Sequence, residues 1–277
     1  MNFHPAKFLQ AYGYLPQRPS KAVEQLGFLA WSQSEWLQAV AEAQRTYGLN
    51  DDGKLTKAVE KVWERTPRCG HQDHFLEARE FQPKWGVGHL LYHVKHYPTG
   101  LDLTKPDVDS LVKAACDDIT GNCHITFEAT AHETEANIVM LAGRGQRAGF
   151  DGAGGTLAYA YPPKSANYIG TLTLVWDLDE AWSSGKSRNG ILFKNVTEHE
   201  LIHNLGLDHD PTPKQLMNAF YTREIATVQS NDRQRLINLY GEPAPFNPPP
   251  PPPATPTDVV SVAVVVNGKS YGPKVIS

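Results

Sequence analysis

HELIHNLGLDH, residues His199 to His209, fits the pattern H-E-x-x-H-x-x-G-x-x-H at every fixed position. Positions four apart share one face of a helix, so His199 and His203 can each present a ring nitrogen to one Zn²⁺, with Glu200 beside the first of them. His209 cannot lie on that same face, so the chain must turn back, and Gly206 is the residue able to take the left-handed backbone conformation this needs. Three protein ligands leave one zinc position open for water, whose pKa falls to roughly 7 there, and Glu200 stands as its base. Met217, in DPTPKQLMNAF, adds a second signal a short way downstream, because zinc sites of this class carry a Met-containing turn at that place.

From His199 to Tyr221 the chain therefore resembles the metzincin clan. Far upstream, PRCGHQD, residues Pro67 to Asp73, resembles the cysteine switch of the matrixins, the matrix metalloproteinase family. The resemblance implies a zymogen in which Cys69 fills the open zinc position and Arg68 pairs with Asp73 to fix the loop. Thiolate is a good fourth ligand for zinc, at about 2.3 Å, and the metal keeps it deprotonated. His71 and His74 flank the switch, and the sequence leaves open whether they assist or disturb the thiolate.

Before the switch, SEWLQAVAEAQRTYGL and LTKAVEKVWER place Trp36, Val40, Ala43 and Tyr47, then Leu55, Val59 and Val62, at helical spacing. With KFLQAYGYL as a shorter third, they predict a three-helix prodomain over residues 1–73 that resembles peptidoglycan-binding-like helical domains. That likeness keeps a rival reading alive, a non-catalytic wall-binding or particle-associated protein stabilised by zinc. HFLEAREFQ, residues 74–82, reads as an activation linker with Arg79 open to a trypsin-like activating protease.

Residues 83–241 are expected to form an α+β catalytic domain, a mixed twisted sheet with the metal helix behind it. KWGVGHLLYHV, EANIVML and TLAYAY read as strands and DVDSLVKAACDD as a helix. By resemblance, Leu157, Ala158, Tyr159 and Ala160 form the edge strand that pairs with an extended peptide substrate. FDGAGGTLAYAY and WDLDEAW are similar to the matrixin calcium loop, which implies carboxylates from Asp151, Asp177 and Glu180 and carbonyls from Gly152, Gly154 and Thr156 on one Ca²⁺. The second, structural zinc of matrixins is not expected, because Arg144, Gln146, Tyr159 and Val175 stand where its ligands would be; Arg144 is expected near the calcium carboxylates as a substitute charge. Further departures are Asn204 and Asp210 after the second and third histidines, and Asn-Ala-Phe-Tyr after Met217.

The 277 residues suffice for this layout, and a net charge of -4 with a pI near 6.3 gives no nucleic-acid-binding stripe. Three cysteines leave Cys116 and Cys123 either as a disulfide or as two reduced core thiols. His89, His93 and His96 read as polar strand residues and not as metal ligands. The start, MNFHPAKFLQ, shows no secretory signal, whereas the resemblance implies an extracellular, monomeric enzyme acting on protein or peptide substrates. Residues 242–257 form a linker holding the prolines Pro248 to Pro253, a stiff extended spacer, and 258–277 a short β-prone tail with a hairpin turn at Asn267-Gly268. No segment is apolar enough, for long enough, to span a bilayer.

Overall fold

The computed structural model describes residues 3–73 and 82–244, together with the backbone of 264–266 and 269–271. The chain opens with α1 (Pro5–Ala11), α2 (Ser20–Leu26), α3 (Gln33–Thr46) and α4 (Lys57–Arg65). Ser32 and Glu35 form a capping box that starts α3, and Thr56 accepts from Val59 N at the head of α4. Leu9, Leu15, Val23, Val40, Ala43 and Trp63 close around one another as a core of their own. Two details differ from the sequence reading. A fourth helix, α2, is present, and it buries only Val23, so it offers no apolar stripe to recognise. In α4 it is Trp63, not Val62, that turns fully inward, continuing the Val59 face by one helical turn.

β1 (Arg68–Cys69) leads into the larger α+β part, built from β2 (His89–Val94), α5 (Lys105–Asn122), β3 (Thr126–Ala129), β4 (Ile138–Gly143), β5 (Thr156–Ala160), β6 (Leu172–Asp177), β7 (Trp182–Ser183), β8 (Ile191–Leu192), α6 (Phe193–Asn204) and α7 (Ser230–Tyr240). Six strands form one sheet in the order β1-β5-β6-β4-β2-β3; the pairings are parallel except β5 with β6, where Ala158 faces Trp176. The mixed sheet expected from the sequence is therefore present. Ile138, Val139 and Met140 are all buried, as are Leu174, Val175 and Trp176, the continuous apolar runs that a sheet covered on both faces demands. α5 starts at a Thr104–Asp107 capping box and buries Val108, Val112, Ala115, Cys116 and Ile119 along one stripe. α6 lies between α5 and strands β5 and β6, which leaves almost none of its residues exposed.

Cys116 and Cys123 are both buried and both reduced, which decides the alternative the sequence left open. Burial pushes the Cys123 thiol up to about 12, so it stays protonated. His89 meets Thr126 Oγ1 at 2.9 Å, and His93 meets the Thr130 carbonyl at 3.0 Å, both as polar residues of the sheet. Residues 245–277 form a unit of their own, in which β9 (Val264–Val266) and β10 (Lys269–Tyr271) pair antiparallel. The Asn267-Gly268 turn between them, the proline run and Arg79 lie outside the described residues.

Candidate active site and metal centre

α6 carries His199 and His203 on one face, and both rings are locked from behind. His199 Nδ1–H donates to the Leu216 carbonyl at 2.6 Å, and His203 Nδ1–H to the Leu207 carbonyl at 2.6 Å. A carbonyl can only accept, so each Nδ1 carries the proton and each Nε2 is left as a bare lone pair. The two Nε2 atoms lie 3.0 Å apart, a repulsive arrangement for two acceptors unless a cation sits between them. Burial pushes His199 down to about 3 and His209 down to about 4, so both rings are neutral, the form that binds a metal. His209 reaches the same place because the chain reverses after α6. Gly206 has φ of 100°, and a Cβ there would lie 2.1 Å from the Pro83 carbonyl oxygen, so both the conformation and the close approach require glycine. Among the described residues, Cys69, His199, His203 and His209 alone bring ligand atoms within 4.8 Å of one another. Neutral nitrogens with a sulfur, buried and backed by carbonyls, fit a tetrahedral zinc ion.

Glu200 is wholly buried, and the polar group facing its carboxyl is the Cys69 thiol, a weak donor. Burial pushes it up to about 8. A carboxyl buried beside a metal-ligand cluster with only a thiol to face is costly and has no structural use of its own. Met217 is fully buried, and its carbonyl accepts from Asp210 N at 2.8 Å. The turn is held by Asp232, whose carboxylate accepts from Leu216 N at 2.7 Å and Met217 N at 3.3 Å. Sequence reading misses Asp232; its signal is an acid in the first turn of a helix, α7, that is itself hard to recognise.

The edge expected at Leu157–Ala160 is already taken. β1 runs parallel to β5, with Arg68 N donating to the Gly155 carbonyl at 2.8 Å and Gly70 N to the Ala158 carbonyl at 2.7 Å. On its other side, Cys69 N donates to the Ala219 carbonyl, and Tyr221 N to the Pro67 carbonyl, each at 3.0 Å. Behind this segment Arg68 and Asp73 are buried as an ion pair, with the guanidinium 3.6 Å above the Tyr12 ring and 2.9 Å from the Tyr47 hydroxyl. Tyr14 donates to the second Asp73 oxygen at 2.5 Å. Burial alone would raise the Asp73 carboxyl, but Arg68 and then His209 outweigh it and hold it well below the usual carboxylate range. His209 Nδ1 lies 3.2 Å from Asp73 Oδ1, where the neutral ring can turn an N–H toward the carboxylate.

Comparison with known proteins agrees with this geometry: the family model described as matrixin matches residues 84–241. The chain belongs to the matrixin family. This matrixin is 30% identical over 271 residues to matrix metalloproteinase-16 of Rattus norvegicus, covering 89% of this chain and 43% of that protein. It is 31% identical to stromelysin-2 of Rattus norvegicus, over 82% of this chain and 46% of the relative. With matrilysin of the same species it shares 32% identity, over 73% of this chain and 75% of that one. The chain thus spans less than half the length of the first two relatives. The family is one of zinc metalloendopeptidases, as its likeness to metalloproteinases states.

In this matrixin the acidic residues around β5 and β6 are each held by backbone donors. Asp151 Oδ1 accepts from Thr156 N at 3.0 Å, Glu180 Oε1 from Gly154 N at 2.7 Å, and Asp177 Oδ1 from Asp179 N at 2.8 Å. Asp177 Oδ2 is buried without a partner. Burial, reinforced by the neighbouring carboxylates, pushes Asp177 up to about 6 and Glu180 up to about 7. Arg144 pairs with Asp179, between these two acids in sequence, and lowers the Asp177 carboxyl in part. Tyr159 donates to the Ala148 carbonyl at 3.0 Å, and Val175 is buried in β6; neither offers a metal ligand. Asn204 Nδ2 donates to the Tyr161 carbonyl at 2.8 Å and the Thr173 carbonyl at 3.2 Å, tying the end of α6 to the sheet.

Proposed function

We propose that the chain is the latent form of a zinc endopeptidase, with residues 1–73 as its inhibitory prodomain, and that Cys69 holds the centre closed. One observation carries this reading: Pro67 to Gly70 is hydrogen-bonded along both sides in a cleft between β5 and Ala219–Tyr221, with the Cys69 sulfur among three histidine nitrogens. An extended peptide needs the same backbone groups. His199, His203 and His209 would hold the zinc, which when bound supplies Lewis-acid polarisation of water and of the scissile carbonyl. Once the switch segment has left, the backbone of Leu157–Ala160 and Ala219–Tyr221 aligns the substrate. Glu200 takes the proton of the attacking water, for which a raised affinity near neutral pH suits it, and passes it to the departing amine. His199 and His203 keep their tautomers through the Leu216 and Leu207 carbonyls.

Asp151, Asp177 and Glu180, with the carbonyls of Gly152, Gly154 and Thr156, form the candidate calcium site; the unpartnered Asp177 oxygen and the mutual repulsion of the acids support a cation there. The substrate is a protein or peptide, an activating protease releases the prodomain, and the enzyme works outside the cell as a monomer. Among the described residues no helix is long and apolar enough to cross a membrane. The rival, a zinc-stabilised wall-binding protein without activity, leaves the buried Glu200 carboxyl unexplained. Incubation of the protein with a broad peptide library, with and without a zinc chelator and after removal of the prodomain, tests the proposal. Chelator-sensitive cleavage is expected; no cleavage of any peptide by zinc-loaded, prodomain-free protein would refute it.

A further inference from the structure

His71 has no part in that chemistry, yet its side chain joins the switch loop to the metal-ligand set. Its ring is buried and stacks on the His203 ring, with centroids 4.1 Å apart and planes 24° apart, and meets the His209 ring edge-on at 5.6 Å and 89°. Its backbone N–H donates to the Cys69 sulfur at 3.2 Å, and its Nε2 lies 3.4 Å from Asp208 Oδ1. Asp208 stands between Leu207, whose carbonyl orients His203, and His209. One residue thus reaches the inhibitory sulfur through its main chain and two of the three histidines through its ring.

We propose that His71 is a positioning residue that clamps Cys69 in the centre, so that the closed state is held at the ring face of His203 as well as at the sulfur. The inference rests on the latent-site reading. An imidazole whose Nδ1–H is given to a carbonyl and whose Nε2 faces a cation is electron-poor, and an aromatic face laid over it is favoured beyond the area it covers. Only Gly70 separates Cys69 from His71, so withdrawing the switch backbone from the cleft moves sulfur and ring together. Opening therefore breaks the stack, the N–H···S hydrogen bond and the Asp208 contact together.

The test uses the full-length, zinc-loaded chain and reads the rate at which iodoacetamide alkylates Cys69, resolved by peptide mass spectrometry from the buried Cys116 and Cys123. His71→Ala should speed labelling about tenfold, as loss of one ring pair implies. His71→Phe, which keeps a stacking ring, should stay close to the parent, and His71→Leu, which fills space without a π face, should behave like His71→Ala. Melting of each variant followed by circular dichroism identifies any that is unfolded, and the Phe and Leu variants, both volume-filling, keep the comparison alive if the Ala variant is. Labelling of His71→Ala at the parental rate, or equal protection by Leu and Phe, would overturn the proposal. If Cys69→Ala stayed as silent as the parent until the prodomain was removed, the sulfur's part in latency would fail separately, since the alkylation rates do not depend on turnover.

Discussion

Glu200 and Cys69 face each other at the same centre, and the proposed function gives them opposite consequences for activity. Glu200→Ala removes the base and none of the three histidines, so activity of the prodomain-free enzyme should drop about a hundredfold or more with zinc still bound. Activity assays paired with zinc analysis check this, and parental turnover would exclude Glu200 as the base. Cys69→Ala removes the sulfur from the histidine nitrogens, so the uncut chain should gain activity over the parent; equal, low activity until the prodomain is cut off would show that the backbone strand in the cleft is the stronger block. Asp232 serves the structure instead, since its carboxylate takes three backbone N–H groups, from Leu216, Met217 and Gln229. Asp232→Ala strands those donors in a buried place, at a cost on the order of 3 kcal/mol. Thermal melting should fall by about 5 to 10 °C, and an unchanged midpoint would mean that the turn over Met217 holds itself. The sequence displays the histidines, Glu200 and Gly206 because their spacing is fixed by the geometry of one helix and one reversal. Asp232 and His71 are not readable as partners, since what they touch is set by how distant segments meet.

Elements differ in the same way. α5 and α6 are recognisable, one by its apolar stripe and the other by its motif, whereas β3, β6, α2 and α7 are not. β6 sits inside a buried sheet and loses alternation, and α2 buries a single side chain. β5 is legible as a strand, but as the outermost one, because nothing in TLAYA announces that a two-residue piece from far upstream adds to it. The loops around β6 carry their own prediction. Three partly paired acids and an unpartnered buried oxygen favour a bound cation, so a chelator selective for calcium should lower the melting midpoint and added calcium should restore it. Elemental analysis should find one zinc per chain; two tightly held zinc ions would contradict the substitution of Arg144, Tyr159 and Val175 for metal ligands.

Across the whole molecule, the helical segment and the sheet keep separate cores and meet through polar and aromatic contacts. Tyr12 bonds Thr156 Oγ1 at 2.8 Å, and the Tyr47 and Phe220 rings approach to 4.6 Å. Composition alone can allot two domains to this length, but it cannot say that the second is plugged by the end of the first. Residues 245–277 form their own unit, so a chain ending at Ala244 should keep its zinc content and melt within about 1 °C of the full chain. A large loss would show that the tail supports the rest.

The strand formed by Arg68 and Cys69 is covalently attached to the cleft it fills. A tether of this kind sets an effective concentration in the millimolar range or above, which no dilution can lower. The intact chain should accordingly stay silent when diluted a thousandfold. A chain cut once between the switch and Gln82 keeps every contact but loses the tether, so its two pieces obey mass action, and activity should emerge on dilution and fade on reconcentration. The cut would thus act by making inhibition reversible in concentration, before any part of the prodomain has been destroyed.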